Sequence, residues 1–294
     1  MKSMTLYHPH GTHWNFRRAR RLIAFLAVAW AVAPAQGAFL NFDNGSGNTN
    51  WASATNWNPN SLPTFADYAT VENGHTVNVS SAGNRASYID VLGGATLNIT
   101  DGSLNFGNAN NRYFWIGFNS PGTVNQSGGI VTGTGNNTDL VIDSQGTYNM
   151  TGGQLNLSDD VWLLDGAVFS ISGNAIVNVG DDLGVPNGAS ATLQVVLTGT
   201  ESPLIVVDDD LRLLNELTLI IDTTAWNGPD EVQLFEVNGT VFQDFAEVIV
   251  DGQPLAPEAY SFAGSAFVVL VPEPASMLSP GIAMLAVLGL RRRR

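Results

Sequence analysis

Three acidic clusters carry the clearest chemical potential in this chain: Asp159-Asp160, Asp181-Asp182 and Asp208-Asp209-Asp210. Each stands just before a short apolar stretch, and their first members lie 22 and 27 residues apart. A fold that repeats with such a step stacks carboxylates from successive repeats at one edge. Hard oxygen donors of this kind, helped by backbone carbonyls, suit Ca2+. Asp159, Asp160, Asp181 and Asp182 are therefore the candidate calcium ligands, and no other cofactor is implied. None of these stretches has the Gly-Gly-x-Gly-x-Asp pattern of calcium-binding β-rolls. The competing reading is a solvated acidic edge that keeps the molecule soluble and blocks end-to-end growth. Two carboxylates about 5–9.5 Å apart would instead suit glycoside hydrolysis.

The rest of the inventory narrows the chemistry. There is no cysteine, which excludes disulfides, thiolate metal sites and thiol catalysis. Between residues 38 and 270 there are 3 basic and 25 acidic side chains, a formal charge of −22, with His75 as the one histidine. Such a surface repels nucleic-acid backbones and acidic glycans. A polyuronate lyase wants a base and cations for its substrate, yet Arg85, Arg112, Arg212 and His75 each stand alone. His75, within Asn73-Gly74-His75-Thr76-Val77, reads as a turn residue. No catalytic residue is assigned, and the body is expected not to be an enzyme. A glycan-binding or glycan-cleaving protein is the alternative.

The elements that must position these residues are short strands. The chain has 294 residues, 44% of them hydrophobic and only 13% charged, with 31 glycines, a composition that fits an all-β protein rich in turns. Residues 122–131 (GTVNQSGGIV) and 146–155 (GTYNMTGGQL) nearly copy each other 24 residues apart. Looser copies follow at Gly74 with Val77 and Val79, Gly94 with Leu97 and Ile99, and Gly166 with Phe169 and Ile171. A second apolar element recurs from Val91, Trp115, Leu140, Trp162, Leu183 and Leu211, with steps of 24, 25, 22, 21 and 28. A period in the twenties with two or three strands per unit indicates a solenoid. The expected fold is a right-handed parallel β-helix of roughly six or seven coils, with a β-sandwich as its rival. Asn125 and Asn149 share a repeat position and would stack as an amide ladder. Their Asn-x-Ser/Thr sequons, with Ser127 and Thr151, read as turn chemistry. Tyr113, Phe114, Trp115 and Phe118 read as core or coil-edge packing residues, with a ligand platform as the alternative. Residues 74–222 hold the repeats, and 38–73 and 223–270 are capping segments, with Trp51 and Trp57 as a lid.

Both ends read as addresses. Arg17, Arg18, Arg20 and Arg21 precede an uncharged run at 22–33, which is the layout of a secretory signal. Signal peptidase is expected to cut between Gly37 and Ala38. At the other end, Val271, Pro272, Glu273, Pro274, Ala275 and Ser276 precede an uncharged segment at 277–290, then Arg291, Arg292, Arg293 and Arg294. The prolines fix φ and remove backbone donors, so the motif stays extended beside the helix that follows. That short helix, about 21 Å long, enters the membrane, and the four arginines act as the stop.

Residues 271–294 resemble the PEP-CTERM sorting tail of exported bacterial proteins, with motif, apolar helix and basic cluster in order. The resemblance implies recognition by an exosortase, a membrane-embedded enzyme with a cysteine nucleophile, and a cut near the Pro-Glu-Pro motif. It further implies inner-membrane anchoring before processing, then passage to the cell envelope or extracellular matrix, and association with exopolysaccharide in a biofilm. At the level of pattern alone, the body is similar to autotransporter-passenger-like β-helices. The expected role is a structural or adhesive solenoid of the cell surface.

Overall fold

The computed structural model describes residues 37–256, 259–263 and 266–270, and the backbone of a two-stranded pair, Leu6–Tyr7 with His13–Trp14. The expected signal helix, the sorting motif, the apolar segment at 277–290 and the arginine cluster lie outside the described residues. Among the described residues, no helix is long and apolar enough to cross a membrane.

The chain winds into a parallel β-solenoid. Strands that open successive turns start at Tyr68, Tyr88, Arg112, Thr138, Val161, Leu183, Leu211 and Val241. That makes about eight turns, against the roughly six or seven suggested by spacing. Each complete turn gives one strand to each of three sheets, of ten, nine and nine strands. The opening strand of each turn lies in the ten-stranded sheet. Parallel pairing begins with Phe39–Phe42 on Tyr68–Val71 and continues to Leu217–Trp226 on Glu247–Val250.

Alternation along each strand sends every second side chain inward. One inward column runs Val77, Leu97, Val124, Tyr148, Phe169, Leu193 and Leu219, all fully buried. Each such side chain contributes roughly 1.5–3 kcal/mol when it leaves water. A single turn buries little by itself, so the turns stabilise one another. The outward neighbours form the amide ladder, which is longer than the two repeats foretold. Nδ2 of Asn98, Asn125 and Asn149 donates to Oδ1 of Asn78, Asn98 and Asn125 at 3.0, 3.1 and 3.0 Å.

The repeat glycines Gly122 and Gly146 are in register, and neither uses positive φ. A Cβ there would lie 2.0 Å from the Val91 carbonyl oxygen and 2.3 Å from that of Ile116. These glycines let one turn approach the last.

The second recurring element needs a correction. By spacing, Val91, Trp115, Leu140 and Trp162 align. In the pairing, Leu140 faces Phe114 and Val161, while Trp115 faces Asp90 and Val141. The tryptophans are one residue out of step, and in a pleated strand one residue changes the face. Trp115 and Trp162 therefore lie on the outside of the ten-stranded sheet.

Both ends of the solenoid are covered. At the start, Trp51 and Trp57 are buried edge to face, with ring centroids 4.8 Å apart, and Trp57 Nε1 donates to the Trp51 carbonyl. Phe42 packs on Trp57. At the far end, Tyr260–Ala263 and Ala266–Leu270 pair antiparallel, and the latter also pairs antiparallel with Glu231–Val237. Phe267 sits there among Phe235, Phe245 and Phe262.

One core column contains a polar residue. Gln126 stands between Ile99 and Met150 and is 1% exposed. Its amide nitrogen donates to the Gln154 carbonyl at 3.0 Å, and its oxygen accepts the Tyr148 hydroxyl at 2.7 Å. Tyr148→Phe leaves that buried oxygen without a donor. The expected loss is about 1–3 kcal/mol, read as a lower midpoint in chemical denaturation with native circular dichroism retained.

Candidate functional site

The ten-stranded sheet carries the site on its outer face. One outward column runs Phe39, Tyr68, Tyr88 and Tyr113, then changes chemistry to Asp139 and Asp160 and continues to Asp182 and Asp210. The aromatic half is a stack: centroids are 5.3 Å apart for Phe39–Tyr68, 5.2 Å for Tyr68–Tyr88 and 4.8 Å for Tyr88–Tyr113. The acidic half is held by the backbone. Asp139 accepts the Asp160 N–H. Asp160 Oδ1 accepts the Asp182 N–H at 2.9 Å, Asp182 Oδ1 that of Asp210 at 3.2 Å, and Asp210 Oδ1 that of Thr240 at 3.1 Å. Each aspartate thus satisfies the amide that enters the next turn, where the chain comes round the corner.

The second oxygens distinguish the members. Asp160 Oδ2 accepts the Trp162 indole N–H at 3.0 Å. Arg212 donates to Asp182 Oδ2 at 2.7 Å and to Asp210 Oδ2 at 3.2 Å. The second oxygen of Asp139, Oδ1, is sealed from solvent and has no hydrogen-bond partner. Asp159 joins from the preceding corner, its Oδ2 accepting the Thr138 N–H at 2.9 Å. Oxygens of Asp139, Asp159 and Asp160 lie within 4.8 Å of one another, as do those of Asp160, Asp181 and Asp182. Both ion pairs among the described residues belong to Arg212, so the Asp139 end has no counter-charge there.

The electrostatics follow from this crowding. Burial, then the charge of Asp159, holds the Asp139 carboxyl far above the ordinary carboxylate range. Burial, then Asp139, does the same to Asp160. Asp181 is pushed up to about 7 by burial and by Asp182. Burial also raises Asp182, against the opposing pull of Arg212.

The four aspartates singled out by sequence, Asp159, Asp160, Asp181 and Asp182, do come together. Of the third cluster only Asp210 enters the column, while Asp208 accepts the Asn238 amide at 3.0 Å. Sequence reading missed Asp139 because no acidic neighbour flags it. The signal was its place one residue before Leu140, matching Asp160 before Val161 and Asp182 before Leu183. The single basic residues are engaged elsewhere. Arg112 lies 4.7 Å over the Tyr88 ring and Arg85 5.6 Å over Phe65. His75 packs edge-on to Phe42, three turns from the nearest aspartate of the column.

Comparison with known proteins speaks to the other end of the chain. Residues 270–294 match the PEP-CTERM protein-sorting motif. The chain carries a PEP-CTERM tail. That tail marks an exported protein, anchored transiently in the membrane and sorted outward, and it implies recognition by an exosortase. No curated protein and no solved structure matches the chain. The PEP-CTERM tail and the carboxylate column are thus separate features, one for delivery and one within the delivered body.

Two outcomes follow for the column. With divalent cations chelated, Asp139, Asp160 and Asp181 hold protons in the folded state that the unfolded chain releases near the ordinary value of about 4. Stability is then full below that value and falls as pH rises through about 7, the reverse of ordinary acid denaturation. Thermal unfolding at a series of pH values in chelator checks this. Arg212→Met strips the counter-charge from Asp182, which is 1% exposed. The expected loss is about 3–5 kcal/mol at neutral pH, measured by denaturant unfolding.

Proposed function

We propose that this protein is a non-catalytic structural or adhesive solenoid, exported by its N-terminal signal and handed to an exosortase by its PEP-CTERM tail. The observation that carries the reading is the tail joined to a capped parallel β-solenoid. Signal peptidase cuts between Gly37 and Ala38. In support, Ala38 is bonded into the body: its N–H donates to Asp67 at 2.8 Å and its carbonyl accepts the Tyr68 N–H at 2.9 Å. The solenoid is right-handed, the sense that crossovers between parallel strands favour. Residues 38–73 and 223–270 protect its ends around the repeats of 74–222. Val271, Pro272, Glu273, Pro274, Ala275 and Ser276 are the processing motif, and Arg291, Arg292, Arg293 and Arg294 stop transfer. After release the body stays in the envelope or the exopolysaccharide matrix, where a stiff acidic rod serves as scaffold.

A second reading, a glycan-binding or glycan-cleaving β-helix, draws on the aromatic run that leads into the carboxylates. Side-chain geometry favours the first. Tyr68 and Tyr88 stack on each other at 22°, Arg112 lies over the Tyr88 ring, and Tyr113 meets Tyr88 edge to face at 62°. Asp159, Asp160 and Asp182 are only 5%, 2% and 1% exposed, too enclosed to reach a glycosidic oxygen.

The deciding experiment is fractionation with intact-mass measurement in hosts with and without the exosortase. The expected outcome is extracellular protein beginning at Ala38 and lacking Arg291, Arg292, Arg293 and Arg294 only when the exosortase is present. Alanine at Pro272, Glu273 and Pro274 should leave the chain in the membrane fraction. Mature extracellular material that retains the arginines defeats the reading.

A further inference from the structure

We propose that Asp139, Asp159 and Asp160, extended by Asp181, form a divalent-cation site of calcium type between neighbouring turns of the solenoid. Along the aspartate column every second oxygen has a donor but one. Asp160 has the Trp162 indole, and Asp182 and Asp210 have Arg212. Asp139 Oδ1, sealed from water, has none. It belongs to a carboxylate whose neighbours Asp159 and Asp160 bring oxygens within 4.8 Å. Left as it is, a buried unpartnered oxygen among like charges is costly. A cation seated among these oxygens supplies both the missing partner and the missing charge.

The donor set decides the kind of ion. It is all oxygen, with no cysteine anywhere in the chain and its one body histidine three turns away. Soft and borderline metals prefer sulfur or imidazole, whereas carboxylates held by a backbone ladder suit a hard ion. Ca2+ accepts irregular oxygen shells, and Mg2+ demands near-octahedral geometry and keeps its waters. Asp181, less enclosed than Asp160, brings an oxygen within 4.8 Å of one from Asp160 and would complete the shell from that side. Asp182 is already neutralised by Arg212 and is not a ligand in this proposal. The site joins three successive turns, so the ion acts as a staple within the repeat array.

The test uses the purified full chain and two probes, Tb3+ and Ca2+. Trp162, bonded to Asp160, sits where its excited state can sensitise bound terbium. Tryptophan-sensitised emission that saturates with Tb3+ and is displaced by Ca2+ is expected. Replacing chelator with Ca2+ at a hundredfold excess over Kd should raise Tm by roughly 5–10 °C. Asp139→Asn is neutral, as the protonated carboxyl is, and keeps an oxygen for the Asp160 N–H, so the variant should fold and be about as stable as the parent in chelator. It should lose both the emission and the calcium-dependent rise, while Asp230→Asn, at an exposed site, keeps them. Absence of emission and of any Tm rise in the parent protein overturns the proposal, and needs no variant. Signals that survive in both Asp139→Asn and Asp160→Asn also overturn it, by placing the ion elsewhere.

Discussion

Parallel stacking in register is the constraint on which everything else in this molecule rests. Each turn places a residue above its counterpart, with the strands about 4.8 Å apart. Whatever occupies one position therefore meets its own kind, or must tolerate what it meets. Apolar columns gain from this, because each added turn buries the face of the last. Amides gain too, since each Asn is both donor and acceptor to its neighbours, as from Asn78 to Asn149. Carboxylates are the case that register punishes. Stacked directly, they repel at short range and are taken from water together.

The aspartate column shows how that penalty is offset. Each carboxylate turns one oxygen to the amide that opens the following turn, so the charge caps a backbone donor that the corner would otherwise leave free. Arg212 then spans Asp182 and Asp210. The compensation is uneven along the column. It is complete near Arg212 and lacking at Asp139, where the aromatic stack ends and the acidic one begins. Desolvation and mutual repulsion are strongest there, which is why the raised carboxyls gather at that end. The polar core pair Gln126–Tyr148 shows the opposite outcome of the same rule. A buried polar residue in a column is harmless once an adjacent turn supplies its partner.

What the sequence made legible follows from the same physics. The copy at 122–131 and 146–155 was readable because both glycines and both asparagines are constrained by neighbouring turns, so the motif carries its own register. The four aspartates were readable because they come in pairs at a coil's spacing. The tryptophans were not, because hydrophobicity alone does not tell an inward position from an outward one. Trp115 and Trp162 fall in the recurring apolar element yet lie across the strand from the core. Trp115 gives its indole N–H to Asp143, a use that no periodicity marks. Asp139 was missed for the complementary reason: its role depends on which residue stands above it. Coil number was underread at the ends, because the recurring element was followed only from Val91 to Leu211 and the turns opened by Tyr68–Val71 and Val241–Phe242 lie beyond it.

The relation between fold and delivery is also a matter of register. An open solenoid exposes unpaired strand edges at both ends, and such edges invite aggregation. Here the final described strand, Ala266–Leu270, runs back antiparallel over Glu231–Val237, pairing Leu270 with Glu231. Antiparallel return breaks the stacking direction in this sheet, as Gln253–Pro254 does on Glu247–Val250, while Val241–Phe242 is the last described strand of the ten-stranded sheet. The sorting match begins at residue 270, the last described residue of that strand. Severing the chain near Pro272 would thus take away no described strand of the cap and no member of the Phe235, Phe245, Phe262 and Phe267 cluster. A chain ending just after Leu270 would keep every described contact of this cap.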